Sequence, residues 1–113
     1  MTFDPNQSLP QEEVDERVRT AIEENEVVLF MKGTEMMPQC GYSDRALGLI
    51  GQQCMEFATV DTLESLEEFR AALSEHSGWE TIPQTYVDGE FVGGSDVLAE
   101  LDERGELEST LDG

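Results

Sequence analysis

Apolar residues recur at two different spacings along the chain, and these spacings predict helices and strands in alternation. Val14, Val18 and Ile22 follow one another at helical intervals, so a helix is expected over residues 10–25. The continuous apolar run Val27–Met31 follows directly. A run of this kind, with no polar interruption, predicts a strand that is buried on both faces in the middle of a sheet.

The rest of the pattern completes an α/β arrangement. Asp88-Gly89 is a two-residue turn of the type favoured in hairpins, and Thr62 is placed to cap the third helix. The element order αβαβαββα predicts one domain over residues 1–113, with a mixed sheet packed against helices and with residues 1–7 disordered. After the first helix and strand, the elements are predicted at residues 42–52, 54–60, 63–76, 84–87, 90–92, 95–104 and 106–111.

The charge balance narrows the range of partners. There are 26 acidic residues against 6 basic ones, for a formal net charge of -20. Such a surface repels phosphate, which argues against nucleic-acid binding. The sequence has no long apolar run or signal pattern, which argues against a membrane partner and for a cytoplasmic location. Because salt relieves self-repulsion, we interpret the acidity as adaptation to the salty cytoplasm of a salt-accumulating microbe.

Cys40 falls where a loop ends and the second helix is predicted to begin. Backbone N–H groups at a helix start, together with the helix dipole, favour a thiolate. Lys32, the only lysine in the chain, adds a positive charge at the end of the first strand. We therefore interpret Cys40 as a reactive thiol with a lowered pKa, the alternative being a small buried apolar residue.

Ser43 stands where a C-x-x-C pair would place its second cysteine. Cys40 therefore has no neighbour with which to close a local disulfide. It remains free to form a mixed disulfide with a small thiol or to bind a metal. Cys54, the other cysteine of the chain, is expected to be buried at the start of the second strand.

Four short motifs carry a family resemblance, and they occur in the order and spacing of that family. Over about residues 10–112 the chain resembles the monothiol glutaredoxins, whose motifs are K-G-T, C-G-F-S, W-P-T-x-P-Q and G-E-F-x-G-G-x-D. The resemblance implies a thioredoxin-like fold, with a central four-stranded mixed sheet flanked by helices. The matching segments are Lys32-Gly33-Thr34, Cys40-Gly41-Tyr42-Ser43, Trp79-Glu80-Thr81-Ile82-Pro83-Gln84 and Gly89-Glu90-Phe91-Val92-Gly93-Gly94-Ser95-Asp96.

The resemblance implies a glutathione site around Cys40, and basic residues are expected to form part of it. Lys32 and Arg70 are expected to clamp the glycine carboxylate of the ligand. An alternative for Arg70 is a surface ion pair on its own helix, for instance with Glu67. Tyr42 replaces the phenylalanine of the family, and its hydroxyl is expected either to donate a hydrogen bond to the sulfur or to face water.

The last two motifs are expected to bind the peptide part of the ligand. By resemblance, the bond between Ile82 and Pro83 is cis, so that the Ile82 backbone can pair with an extended peptide as an added strand does. Gly94 lets the chain approach a ligand closely. Ser95 and Asp96 begin a helix whose free N–H groups bind carboxylate, and Asp96 is expected to receive the γ-glutamyl ammonium. Plain N-capping by Ser95 is compatible with this role.

Three further apolar residues near these motifs are interpreted as structural. Met36 and Met37 are expected to pack within their loop rather than to bind a soft metal. Trp79 is expected to be a packing residue rather than a ligand contact. Glu80, which follows it, replaces the proline usual in the family.

The resemblance also implies a function for a single thiol. A [2Fe-2S] cluster needs about four thiolate ligands, which two chains, each with Cys40, and two glutathiones or related γ-glutamyl thiols would supply. The expected protein is a cluster-bridged homodimer that transfers its cluster to apo iron–sulfur proteins. The alternatives are a weak glutathione-dependent oxidoreductase that removes glutathione from protein thiols, and a non-catalytic adaptor with the same fold.

Overall fold

A four-stranded sheet lies between two layers of helices in the computed structural model, which describes residues 9–54 and 56–112. The predicted disorder of residues 1–7 lies outside these residues. In the described part of the chain, no helix is long and apolar enough to cross a membrane. The elements are α1 (Gln11–Glu24), β1 (Val27–Met31), α2 (Gly41–Gln53), β2 (Ala58–Asp61), a 3-10 turn (Leu63–Ser65), α3 (Leu66–Ser77), β3 (Gln84–Val87), β4 (Glu90–Gly93), α4 (Ser95–Glu103) and α5 (Leu107–Leu111).

The strands have the order β2-β1-β3-β4. β1 pairs in parallel with β2 and antiparallel with β3, so the sheet is mixed. Every residue of β1 is buried, which confirms the predicted central strand. β3 and β4 form the predicted hairpin, in which Asp88 and Gly89 have φ angles of 50° and 84°. Such positive values at both central residues are those of a type I′ turn.

Residues of β1 alternate between two hydrophobic cores, one on each face of the sheet. Val28 and Phe30 face α1 and α3, whereas Leu29 and Met31 face α2, α4 and α5. The Phe30 ring meets the Tyr86 ring edge-on, with centroids 5.7 Å apart and an interplanar angle of 86°. Helices cover both faces of β1, which explains why its sequence contains no polar residue.

The predicted strand over residues 54–60 is wrong in its first half. The backbone N–H of Cys54 still donates to the carbonyl of Ile50 at 2.9 Å, so α2 extends up to Cys54. β2 begins only at Ala58, which pairs with Val28 of β1. Cys54 is therefore a half-buried residue at the end of a helix and not a buried strand residue. Alternating side chains could not show where pairing with β1 begins.

The prediction that Thr62 caps the third helix is also wrong. Both its hydroxyl and its backbone N–H donate to the carbonyl of Met31, each at 2.9 Å. Thr62 is buried, and the 3-10 turn Leu63–Ser65 separates it from α3. Its side chain ties the segment after β2 to the end of β1, close to the loop that leads to Cys40.

Candidate thiol and ligand-binding site

A tight loop connects β1 to Cys40. The Gln39 N–H donates to the Lys32 carbonyl at 3.0 Å, and Thr34 and Met37 exchange backbone hydrogen bonds of 3.3 and 3.1 Å. Gly33 has a φ of +92°, and a Cβ there would lie 2.6 Å from the Met37 carbonyl oxygen. Only glycine fits this position, because a side chain would be both strained and in collision with the backbone. The loop therefore holds Cys40 at a defined place relative to the sheet.

Met36 and Met37 lie in the turn of this loop and do not pack. Their exposed fractions are 89% and 66%, so the expectation that they pack within the loop is wrong. The turn closes through backbone hydrogen bonds and needs no side-chain burial. Both methionine side chains are therefore mainly exposed to solvent in the loop that precedes Cys40.

Cys40 is the half-buried N-cap residue of α2. Desolvation by burial raises the pKa of its thiol, but the backbone N–H groups of Ser43 and Tyr42, the Ser43 hydroxyl and the charge of Lys32 outweigh that effect. The pKa of Cys40 consequently lies below its ordinary value, in the predicted direction. The Cys40 side chain makes no capping hydrogen bond with the described residues of α2. The N–H groups, the Ser43 hydroxyl and Lys32 therefore act on the thiolate mainly as oriented dipoles and charges.

Ser43 has a structural role that the sequence did not reveal. Its side chain is fully buried, and its Oγ accepts a hydrogen bond of 3.0 Å from the backbone N–H of Lys32. This bond joins the end of β1 to the first turn of α2. A cysteine at position 43 would replace this acceptor with a larger and weaker one. Ser43 therefore positions Lys32 relative to Cys40 besides leaving Cys40 without a partner thiol.

The lowered pKa of Cys40 predicts a pH profile for alkylation. In a Cys54→Ser background, so that only Cys40 reacts, the rate with iodoacetamide should reach half its maximum at a lower pH in the folded protein than in urea. The sign follows because alkylation requires the thiolate, and a lowered pKa means that the thiolate forms at lower pH. Ser43→Ala should shift the folded profile upward. Equal profiles in folded and unfolded protein would contradict the assignment.

A groove of about 670 Å³ opens beside the start of α2. Cys40 is not among the described residues that line this groove, but Tyr42, two residues later in the sequence, is one of its walls. The structure thus brings two of the predicted ligand-binding motifs together in one groove, which the start of α2 also lines through Tyr42. Of the residues predicted from the sequence, the groove is lined by Tyr42, Ile82, Pro83, Gly94, Ser95 and Asp96.

Gly94 and Pro83 lie close together in the groove. The bond between Ile82 and Pro83 is cis, as predicted. A Cβ on Gly94 would lie 3.0 Å from the Pro83 carbonyl oxygen, so Gly94 lies close to the backbone of the other motif; its approach to a ligand stays a prediction. Gly94 is also the N-cap residue of α4. The expected capping by Ser95 is therefore wrong, because Ser95 is already the first residue of the helix.

Lys32 and Arg70 are not among the described residues that line this groove. Arg70 pairs with Glu67 on its own helix at 2.5 Å, which is the alternative considered above. Lys32 is half-buried next to β1. Their predicted clamp on a glycine carboxylate would require Arg70 to leave Glu67, an exchange that is inexpensive for a partly exposed ion pair.

Trp79 and Val97 also line the groove, and the sequence reading missed both. Trp79 is 61% exposed and Val97 is 40% exposed, so the packing role expected for Trp79 is wrong. For Trp79 the available signal was its place as the first residue of the motif at residues 79–84. A groove that combines exposed apolar side chains with Ser95 and Asp96 suits a ligand with an apolar stem and charged ends.

The buried side chain of Gln84 connects the loop at residues 79–81, which lines the groove, to the core. Its Nε2 donates to the carbonyls of Trp79 and Thr81 at 2.7 and 3.0 Å, and its Oε1 accepts from the Tyr86 hydroxyl at 2.8 Å. The side chain is 1% exposed. All of its hydrogen-bonding partners are thus inside the protein, which fixes the loop that carries Trp79.

Comparison with known proteins agrees with this geometry. The glutaredoxin family profile matches residues 27–92. The chain is 43% identical over 95 residues to an uncharacterized monothiol glutaredoxin, ycf64, of Porphyra purpurea, covering 84% of this chain and 88% of that protein. It is 44% identical over 103 residues to the mitochondrial monothiol glutaredoxin-5 of Saccharomyces cerevisiae, covering 88% and 68%.

Solved structures show the same fold. The solution structure of reduced poplar apo GrxS14 superposes with a TM-score of 0.75 at 38% identity, covering 88% of this chain and 90% of that one. The sheet is therefore the four-stranded mixed sheet of the thioredoxin-like glutaredoxin fold, as predicted. Together with the serine at position 43, these matches establish that the chain belongs to the monothiol glutaredoxin family.

Proposed function

We propose that this protein binds a [2Fe-2S] cluster between two chains, with Cys40 and a γ-glutamyl thiol as ligands, and passes it to apo iron–sulfur proteins. The observation that supports this most is the isolation of a reactive thiol. Cys54 lies at the other end of α2, whose 13 residues span about 20 Å. That separation is too large for a disulfide within the chain, so Cys40 must use ligands and partners from outside.

The cluster is the cargo of this proposal, and one chain cannot surround it. In the described part of the chain, no group of three or more His, Cys, Asp or Glu side chains is placed to hold a metal. A [2Fe-2S] cluster takes about four ligands. Cys40 from each of two chains supplies two thiolates, and one γ-glutamyl thiol in each groove supplies the other two.

The groove supports the choice of a γ-glutamyl thiol. Asp96 at its rim can pair with the ammonium group, and the Ile82 backbone can pair with the peptide. Glutathione and γ-glutamylcysteine share these groups and differ in the glycine carboxylate. Lys32 and Arg70 would bind that carboxylate if glutathione is the ligand.

A second candidate function is thiol–disulfide exchange. In this reaction the Cys40 thiolate attacks the glutathione sulfur of a protein mixed disulfide, and the protein thiolate leaves. A second glutathione thiolate then attacks the new mixed disulfide, which regenerates Cys40 and releases glutathione disulfide. The lowered pKa of Cys40 favours this candidate, because attack requires the thiolate.

Anaerobic reconstitution tests the first function. The protein is supplied with iron and sulfide together with glutathione, with γ-glutamylcysteine, or without a small thiol. We expect visible absorbance and a native mass of two chains, one cluster and two small thiols only when a thiol is present. Mixing the product with an apo ferredoxin should transfer the absorbance to the acceptor. Monomers without a cluster under all three conditions would refute the proposal.

We also propose that the protein works in the cytoplasm of a halophilic archaeon, on the basis of its net charge of -20. Raising KCl from about 0.1 M to about 1 M shortens the screening length from about 10 Å to about 3 Å. Because self-repulsion weakens accordingly, the melting temperature should rise by about 10 °C, as for a gain of ~2 kcal/mol. A melting temperature that does not change with salt would remove the support for this origin.

A further inference from the structure

The ion pair between Arg45 and Asp96 differs from the other ion pairs of the described residues. Its Nη1 and Oδ1 atoms are 3.7 Å apart, and it joins α2 to α4. The other three ion pairs are local, each between an arginine and a glutamate three or four residues earlier on the same helix or, for Arg104, between the C-cap and its helix. These are Arg17 with Glu13, Arg70 with Glu67, and Arg104 with Glu100.

The position of this pair is at the rim of the groove. Asp96 lines the groove directly, and its side chain is 88% exposed while that of Arg45 is 53% exposed. A separation of 3.7 Å is longer than a hydrogen bond. Both groups therefore retain most of their hydration and can accept new partners with little loss.

The γ-glutamyl end of a thiol such as glutathione carries an ammonium and a carboxylate on the same carbon atom. Asp96 attracts the ammonium but repels the carboxylate, and the net charge of -20 adds to that repulsion. Arg45 is the cation paired with Asp96 at this rim. Its planar guanidinium suits a carboxylate, which it can bind through two N–H groups.

We propose that Arg45 is a specificity-determining residue that binds the α-carboxylate of the γ-glutamyl group while Asp96 binds its ammonium. The inference rests on the proposed γ-glutamyl thiol in the groove, and it holds for glutathione and γ-glutamylcysteine alike because both carry this end. The opposite role would be competition, in which Arg45 occupies Asp96 and weakens ligand binding. Removal of Arg45 therefore changes affinity in opposite directions under the two roles.

The equilibrium of mixed-disulfide formation provides a quantitative test. The Cys40 thiolate attacks a symmetric disulfide, one Sγ–S bond forms, the disulfide bond breaks, and one small thiolate leaves. Three disulfides are compared, those of glutathione, γ-glutamylcysteine and 4-aminobutyryl-cysteinylglycine, which lacks only the α-carboxylate of glutathione. The equilibrium constant is measured from adduct masses in a Cys54→Ser background, at fixed ratios of disulfide to thiol.

Arg45→Ala should lower the constant about three- to fivefold for the two disulfides with an α-carboxylate, as for an exposed ion pair. Arg45→Ala should leave the constant for the third disulfide unchanged. This third constant also serves as the control for any change in the reactivity of the Cys40 thiol. Arg45→Lys should restore part of the loss. Arg17→Ala on α1 removes the same charge across the sheet from α2 and α4, and it should change none of the constants.

Two results would overturn the inference while leaving the proposed function intact. One is a constant for glutathione that is unchanged or raised by Arg45→Ala, and the other is an equal loss for all three disulfides. If the protein without substitutions at Arg45 or Arg17 formed no mixed disulfide with any of the three, both the inference and the thiol step of the proposed function would fail.

Discussion

Replacing Cys40 with serine is expected to abolish cluster assembly and mixed-disulfide formation together. Serine keeps the size of the side chain, so the fold and the groove should persist. Its hydroxyl is not ionised near neutral pH and supplies no thiolate for iron or for a disulfide. Reconstituted Cys40→Ser protein should therefore show no visible cluster absorbance, and in a Cys54→Ser background its mass should not increase with glutathione disulfide.

Cys54→Ser is the matched control for this experiment. Cys54 lies at the far end of α2, where its thiol donates a hydrogen bond to the Glu56 carbonyl at 3.0 Å. Replacing Cys54 should leave the cluster absorbance and the extent of mixed-disulfide formation close to those of the unaltered protein. A cluster that persists in Cys40→Ser and disappears in Cys54→Ser would show that Cys54 is the ligand, and it would refute our assignment.

Replacing Phe30 with alanine is expected to produce the largest loss of stability. The side chain is fully buried at the centre of the sheet, between the rings of Phe69 and Tyr86, whose centroids lie 6.5 and 5.7 Å away. Truncation removes its buried surface and leaves a cavity, which costs about 3–5 kcal/mol. A domain is stable by only about 5–15 kcal/mol, so the urea midpoint at fixed KCl should fall steeply.

Leu63→Ala provides the comparison for this substitution. Leu63 is 39% exposed, so its truncation should lower the free energy of unfolding by less than about 1 kcal/mol. Both variants are measured in the same KCl concentration, because salt changes the stability of so acidic a chain. A loss below about 1 kcal/mol for Phe30→Ala would mean that the core around β1 relaxes around the cavity.

Elements whose sequence pattern follows from burial on both faces, or from the backbone conformation of a short turn, could be predicted from the sequence. β1 is apolar throughout because helices cover both of its faces, and the strand was predicted with its observed bounds. The Asp88-Gly89 turn was also predictable, because few residue pairs adopt two successive left-handed conformations. The start of β2 and the role of Thr62 were missed, since both depend on contacts with β1 that are distant in sequence.

The same distinction holds for the site. The place of Cys40 at a helix start and the direction of its pKa were predictable, because both follow from one helix start and one nearby lysine. Trp79, Val97 and Arg45 were not, because each acquires its role from an element remote in sequence. Arg45 is on α2 and meets Asp96 only through the packing of α2 on α4.

The buried amide of Gln84 has a consequence for the kinetics of ligand capture. Gln84 already holds the carbonyls of Trp79 and Thr81 through hydrogen bonds. The loop that carries Trp79 therefore does not need to become ordered when a ligand binds. The rate of association is then limited by the encounter rather than by loop closure. An anionic ligand approaching a chain of charge -20 is repelled, and salt screens that repulsion. It follows that the association rate constant increases with ionic strength, while the dissociation rate constant changes little.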